Sequence, residues 1–126
     1  MPLKFLLVGL GGAVGAMLRY AISCIPYKGT FPLLTLLTNV TGAFLIGVIA
    51  GLAAQKCLSE SVQLFLKTGV CGGYTTFSTF SLEAFQLFQG GRHAEGVLYL
   101  LLSVAGSLLG VYLGLQLGRG GFRAEV

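Results

Sequence analysis

Gly69-Val-Cys-Gly-Gly-Tyr-Thr-Thr-Phe-Ser-Thr-Phe-Ser-Leu-Glu83 decides how this chain folds, because it is polar where both of its flanks read as lipid-soluble helix. It holds three glycines, five serine and threonine hydroxyls and one acid. Hydrocarbon offers backbone groups no water, so non-helical chain at that depth survives only when buried in protein or lining a polar cavity. Gly72-Gly73 in mid-helix lowers helix stability and predicts a break near residues 72–76. Carbonyls freed there can hold a cation. Downstream, Phe77 and Phe80 are three apart and share one helical face, with Thr76, Thr79 and Glu83 at helical spacing beside them.

The rest of the chain supplies the frame. Its 126 residues make a single domain, 1–126, and only 10% of them are charged against 55% hydrophobic. A soluble domain averages about 25% charged residues, so this composition predicts a membrane protein. Four segments reach the roughly 20 apolar residues that a crossing needs. They run over about 3–25, stopped by Pro26; 33–54, begun after Pro32; 59–89, capped by Ser59 and ended by Gly90-Gly91; and 94–117. The expected fold is therefore all-α, with four transmembrane helices and a broken third one. The first apolar run lacks a small-residue cleavage site and is read as a retained span.

Several function classes drop out. Eight basic and four acidic residues are too few and too scattered for a nucleic-acid surface. Cys24, Cys57 and Cys71 lack metal-ligand spacing and read as small apolar packers. His93, the only histidine, has no visible nucleophile beside it, so the chain does not read as an enzyme.

Small residues predict how the helices touch. Gly11 and Gly15, Gly47 and Gly51, and the series Gly106, Gly110, Gly114 and Gly118 repeat at intervals of four, the spacing that lets membrane helices approach closely. Charge predicts orientation only weakly. With four spans, Lys4, Lys56, Lys67, Arg119 and Arg123 fall on one side and Arg19, Lys28 and Arg92 on the other. So balanced a chain can insert both ways, and copies of opposite orientation can pair as an antiparallel two-fold homodimer. One orientation fixed by the basic tail is the competing reading.

Polar groups inside spans are expensive, and each is a functional hypothesis. Thr35 and Asn39 share a face of the second helix, where Asn39 can be either interhelical glue or part of a pathway. Tyr99, Ser103 and Ser107 draw a hydroxyl stripe along the fourth. Arg19 either snorkels to headgroups or gathers anions. Glu83 can order the track, carry a proton or sit at the interface. Phe77 and Phe80 lie among hydroxyls where a lipid-facing pair would have aliphatic neighbours. An aromatic ring is positive at its edge, so the two rings can solvate a small anion without formal charge.

The segment from Gly72 to Ser81, together with Gly11-Gly12-Ala13-Val14-Gly15-Ala16-Met17-Leu18-Arg19-Tyr20 and Asn39-Val40-Thr41-Gly42, resembles the Fluc (CrcB) fluoride channels over essentially the whole chain. It departs at Tyr74, where that family more often has an aliphatic residue. The resemblance implies a dual-topology antiparallel homodimer in the lipid bilayer, with two fluoride pores along the subunit interface. It implies a structural sodium ion (Na+) at the dimer centre, held by the backbone carbonyls of Gly72 and Thr75. It implies ring edges from Phe77 and Phe80, an essential Asn39, a polar track of Thr79, Glu83, Tyr99, Ser103 and Ser107, and Arg19 near the vestibule. Transport would be passive fluoride export through a multi-pass protein of the plasma (inner) membrane. The alternative is a small dual-topology proton-coupled exporter, for which Glu83 is the only candidate acid.

Overall fold

The computed structural model describes residues 1–120 and is all-helical among them. Arg123, counted above, lies outside that range. Helix α1 spans Pro2–Ser23 and α2 spans Leu33–Ala54, each 22 residues or about 33 Å long. Pro2 lies in the first turn of α1 and Pro32 directly precedes α2, positions where a missing N–H costs nothing. The third rod starts as α3, Glu60–Gln63, with Ser59 Oγ accepting the Val62 N–H at 3.2 Å. It widens into a π-helical segment, Leu64–Cys71, and returns to α-helix as α4, Gly72–Tyr74. Helix α5 covers Phe77–Gln89 and α6 covers His93–Gly118.

Three of these, α1, α2 and α6, are long and apolar enough to cross a membrane, with mean hydropathies of 1.7, 2.0 and 2.0. Between α4 and α5, Thr75 and Thr76 are extended, with ψ of 156° and 119°. Gly72 itself keeps helical torsions, φ −62° and ψ −38°. Gly73 works as a contact surface instead: a Cβ there would lie 3.0 Å from Gly12 Cα on α1. Gly73 thus serves helix approach, and the change of direction falls on the two threonines that follow.

Two close pairs build the body. Helix α1 lies on the third rod through facing glycines, where a Cβ on Gly11 would stand 2.9 Å from Gly69 Cα and one on Gly15 2.7 Å from Tyr74 N. Helix α2 lies on α6 in the same way, with a Cβ on Gly47 3.1 Å from Gly114 Cα and one on Gly118 3.0 Å from Gly51 Cα. The intervals of four read from the sequence are therefore the two contact stripes. Leu36, Phe80, Ala84, Leu87 and Tyr99 form a buried cluster where α2, α5 and α6 meet.

Charged pairs sit at the ends of the rods. Lys4 Nζ is 2.8 Å from Glu60 Oε1. At the other end Arg92 reaches Glu95 at 3.5 Å, and the Thr30 hydroxyl donates to the same carboxylate at 3.2 Å. Helix α5 stops where Gly91 takes φ +78°, while Arg92 N–H bonds Leu87 C=O at 2.8 Å and Gly91 N–H bonds Phe88 C=O at 3.1 Å. That glycine-terminated bond pair satisfies carbonyls a helix end would otherwise leave bare.

Candidate functional site

The site begins with backbone accounting over residues 71–76. Cys71 C=O accepts both the Thr75 N–H, at 3.0 Å, and the Thr75 hydroxyl, at 2.9 Å. The N–H that would continue the helical ladder onto Gly72 C=O belongs to Thr76, and it goes instead to Asn39 Oδ1 at 2.8 Å. Asn39 Nδ2 donates back to Thr76 C=O at 2.9 Å. Thr79 N–H, which would close on Thr75 C=O, is taken by Thr76 Oγ1 at 3.1 Å, the cap of α5. Gly73 C=O receives Arg19 Nε at 3.1 Å. The diverted amides thus release the carbonyls of Gly72 and Thr75 from the helical ladder. Hard backbone oxygens of that kind suit an alkali or alkaline-earth cation.

A groove of about 460 Å³ opens beside this turn, lined by Asn39, Gly72, Thr75, Phe77, Phe80, Ser103 and Ser107 among others. Seven of the residues proposed from sequence therefore share one wall. Within it, Ser103 Oγ is buried without a hydrogen-bond partner among the described residues. A buried hydroxyl left unpaired costs free energy, so its position calls for a ligand or water. Phe77 is 78% exposed and Phe80 8%, with ring centroids 5.6 Å apart and planes at 53°. One ring is anchored in the core and the other is free at the groove.

Tyr99 and Glu83 stand behind that wall. Tyr99 is fully buried, its ring centroid 5.1 Å from that of Phe80, and its hydroxyl donates to Glu83 Oε1 at 3.1 Å. The stripe of Tyr99, Ser103 and Ser107 therefore divides, with the serines facing the groove and the tyrosine turned to Glu83. Glu83 itself lines a second cavity of about 440 Å³ under the α1–α2 loop, with Thr35, Gln86 and Arg92. Arg19 and Thr79 meet in a third cavity of about 110 Å³. Neither snorkelling nor anion gathering alone describes Arg19, because its Nε also clamps the third rod.

The match to known proteins follows the same residues. Residues 6–115 match the family described as CrcB-like protein, Camphor Resistance (CrcB). The chain belongs to the CrcB family. Among its relatives, the fluoride-specific ion channel FluC of Ruminiclostridium cellulolyticum is 48% identical over 116 residues, covering 89% of each chain. Its namesake from Rhizobium meliloti is 47% identical over 118 residues, or 90% of this chain and 94% of that one. The one from Azobacteroides pseudotrichonymphae is 43% identical over 115 residues, or 88% and 92%. The matched stretch of this CrcB chain contains every site residue from Arg19 to Ser107.

Three residues of the CrcB site escaped the sequence reading. Thr38, 3% exposed, lines the Arg19 cavity and donates to Leu34 C=O at 2.8 Å. Its spacing of three from Thr35 was the available signal. Thr41 bonds the Tyr74 hydroxyl at 2.9 Å, which gives the buried tyrosine a polar partner. Phe31 stacks edge-on against Tyr99 at 5.6 Å and 80°. Nothing local marked it, since it precedes the helix in a turn.

Proposed function

We propose that this CrcB-family chain is a fluoride-selective channel that passively exports fluoride across the plasma membrane. The observation that carries the reading is the groove itself, which gathers an exposed ring, a partnerless buried serine hydroxyl and a polar asparagine on one wall. Fluoride is small and strongly hydrated, so a selective path must replace its water with close-packed donors, which ring edges and hydroxyls supply without admitting larger halides. The names carried by the relatives point the same way.

In this reading the π-helical segment, α4 and α5 together make the third crossing, interrupted at Thr75 and Thr76. The groove is open on one side and Phe77 projects from it, which fits a second copy closing over it as an antiparallel dual-topology homodimer. The near balance of basic residues supports that pairing. Phe77 and Phe80 would offer ring edges, Asn39 would hold the break and face the ion, and Ser103, Ser107, Thr79, Tyr99 and Glu83 would form the polar track. Arg19 would set a positive potential at the near mouth. The carbonyls of Gly72 and Thr75 fit a sodium ion, which when bound would supply a central positive charge that pins the two breaks together. The chain's own residues do the remaining work, with Asn39 and Arg19 fixing the neighbouring carbonyls.

The test uses purified protein in liposomes loaded with fluoride or chloride, with efflux started by a potassium ionophore. Rapid fluoride efflux with chloride retained is expected, and no fluoride efflux, or equal chloride efflux, ends the reading. Glu83→Gln separates it from proton-coupled export. A channel keeps substantial fluoride flux with that change, whereas an exporter built on Glu83 loses transport.

A further inference from the structure

The three cavities are neighbours that share lining residues, and one aliphatic side chain lines the smallest of them. The small cavity at Arg19 is lined by Arg19, Tyr20 and hydroxyl side chains, with Leu34 as the only aliphatic lining residue among the described residues. Leu34 and Thr35 also line the larger cavity under the α1–α2 loop, where Glu83 and Arg92 sit. Thr76 is shared between the small cavity and the groove that holds Phe77 and Phe80. An ion moving from the loop end toward the rings along these shared walls would meet Leu34 and Thr35 first and Thr76 second. The second passage is flanked by hydroxyls, and the first is half hydrocarbon.

We infer that Leu34 is the constriction that sets the rate of ion entry at the loop end of the pathway. The inference rests on the channel reading above and adds to it a residue whose chemistry is opposite to that of its neighbours. Apolar constrictions gate by excluding water, so an ion crosses only as fast as the gap wets. Thr35 brings a hydroxyl to the wall that the two cavities share, and the Leu34 side chain brings none. Leu34 is the second residue of α2 and half-buried, held by the helix and not by a loop. Its carbonyl accepts the Thr38 hydroxyl at 2.8 Å, a bond that a change of side chain leaves in place. The position can therefore be widened or narrowed without disturbing that contact.

The experiment is fluoride efflux from liposomes carrying the full chain, comparing wild type with Leu34→Ala and Leu34→Phe. Alanine keeps helix propensity and removes the partition, so efflux should rise by at least about threefold, while phenylalanine should slow it by about tenfold or more. Fluoride over chloride selectivity should stay with the rings and change little in Leu34→Ala. Opposite responses to the small and the large side chain mark a constriction, because a packing role would slow transport in both. If both variants slow it, or neither moves it, while wild type conducts, the inference falls and the channel reading stands. If wild type carries no fluoride, both fall together.

Discussion

The Asn39 carboxamide and the Thr76 peptide unit are bonded to each other twice, Oδ1 to N–H at 2.8 Å and Nδ2 to C=O at 2.9 Å. One side chain on α2 thereby does for Thr76 what a neighbouring strand would do for a residue in a sheet. The backbone at Thr76 can be extended inside an apolar protein because both of its polar groups remain paired. The same pairing takes from Gly72 C=O the amide it would have used, so one asparagine both permits the break and leaves an oxygen available for an ion.

Asn39→Ala removes both bonds and leaves the Thr76 N–H and C=O in search of partners. A loss of about 1–3 kcal/mol of stability is expected from such unsatisfied groups, together with at least a tenfold loss of fluoride flux. Asn39→Asp keeps the acceptor for the N–H but sets a second oxygen against Thr76 C=O, and it should be nearly as damaging. Thermal unfolding in detergent and liposome efflux report the two effects. Wild-type flux in either variant would remove Asn39 from the pathway.

Phe77 and Phe80 should separate in stability while agreeing in transport. Phe80 is packed against Tyr99 in the core, so Phe80→Ile should cost roughly 1–3 kcal/mol, whereas Phe77, largely exposed in the single chain, should cost little. Both substitutions should cripple fluoride permeation. Equal melting temperatures would show that the core contact of Phe80 contributes nothing, and unchanged flux would mean the rings only pack.

The glycine stripes allow a paired test. A Cβ on Gly114 would lie 2.8 Å from Val48 N, so Gly114→Ala should push α2 from α6 and lower stability by about 1–3 kcal/mol. Gly9, on the same kind of apolar helix, has nothing within 4 Å of its would-be Cβ. Gly9→Ala should be neutral or stabilising by up to about 1 kcal/mol through helix propensity. Melting temperatures falling equally for both would refute the contact assignment.

Where the exposed starts of α1 and α3 meet, the hydrogen bond and charge of Lys4 hold the Glu60 carboxyl below its ordinary value of 4.5. A depressed folded-state pKa stabilises above the unfolded value, and that contribution is lost as the pH falls through the folded one. The pair's share should therefore disappear as the pH drops below about 4.5, and because both groups are exposed it should be small and salt-sensitive. Glu60→Gln should flatten that part of the stability profile in melting curves taken at low salt between about pH 3 and pH 7. An identical acid limb in the variant would show that the pair is without weight.

Much of the architecture was legible because it depends on local pattern. Stretches of about 20 apolar residues, proline and glycine punctuation and glycines at intervals of four are properties of one helix at a time. They gave the helices, the cap at Ser59 and the two contact stripes. Gly72-Gly73 looked like the weak point, but Gly73 admits α1, Gly72 keeps helical torsions, and the extended residues are Thr75 and Thr76, the latter held by an asparagine 37 positions earlier. No helical period carries that information.

By itself the sequence determined that the chain is a helical membrane protein of the CrcB family with a polar interruption in an apolar rod, since composition and motif suffice for that. Only the tertiary structure decided which of its polar groups meet. It put Ser103 and Ser107 on the groove and turned Tyr99 to Glu83, gave Arg19 to the Gly73 carbonyl, and set Leu34 alone among hydroxyls. The physical reason is that a side chain's partner in hydrocarbon is chosen by whatever other helix can satisfy it, and that choice is made across the bundle, not along the chain.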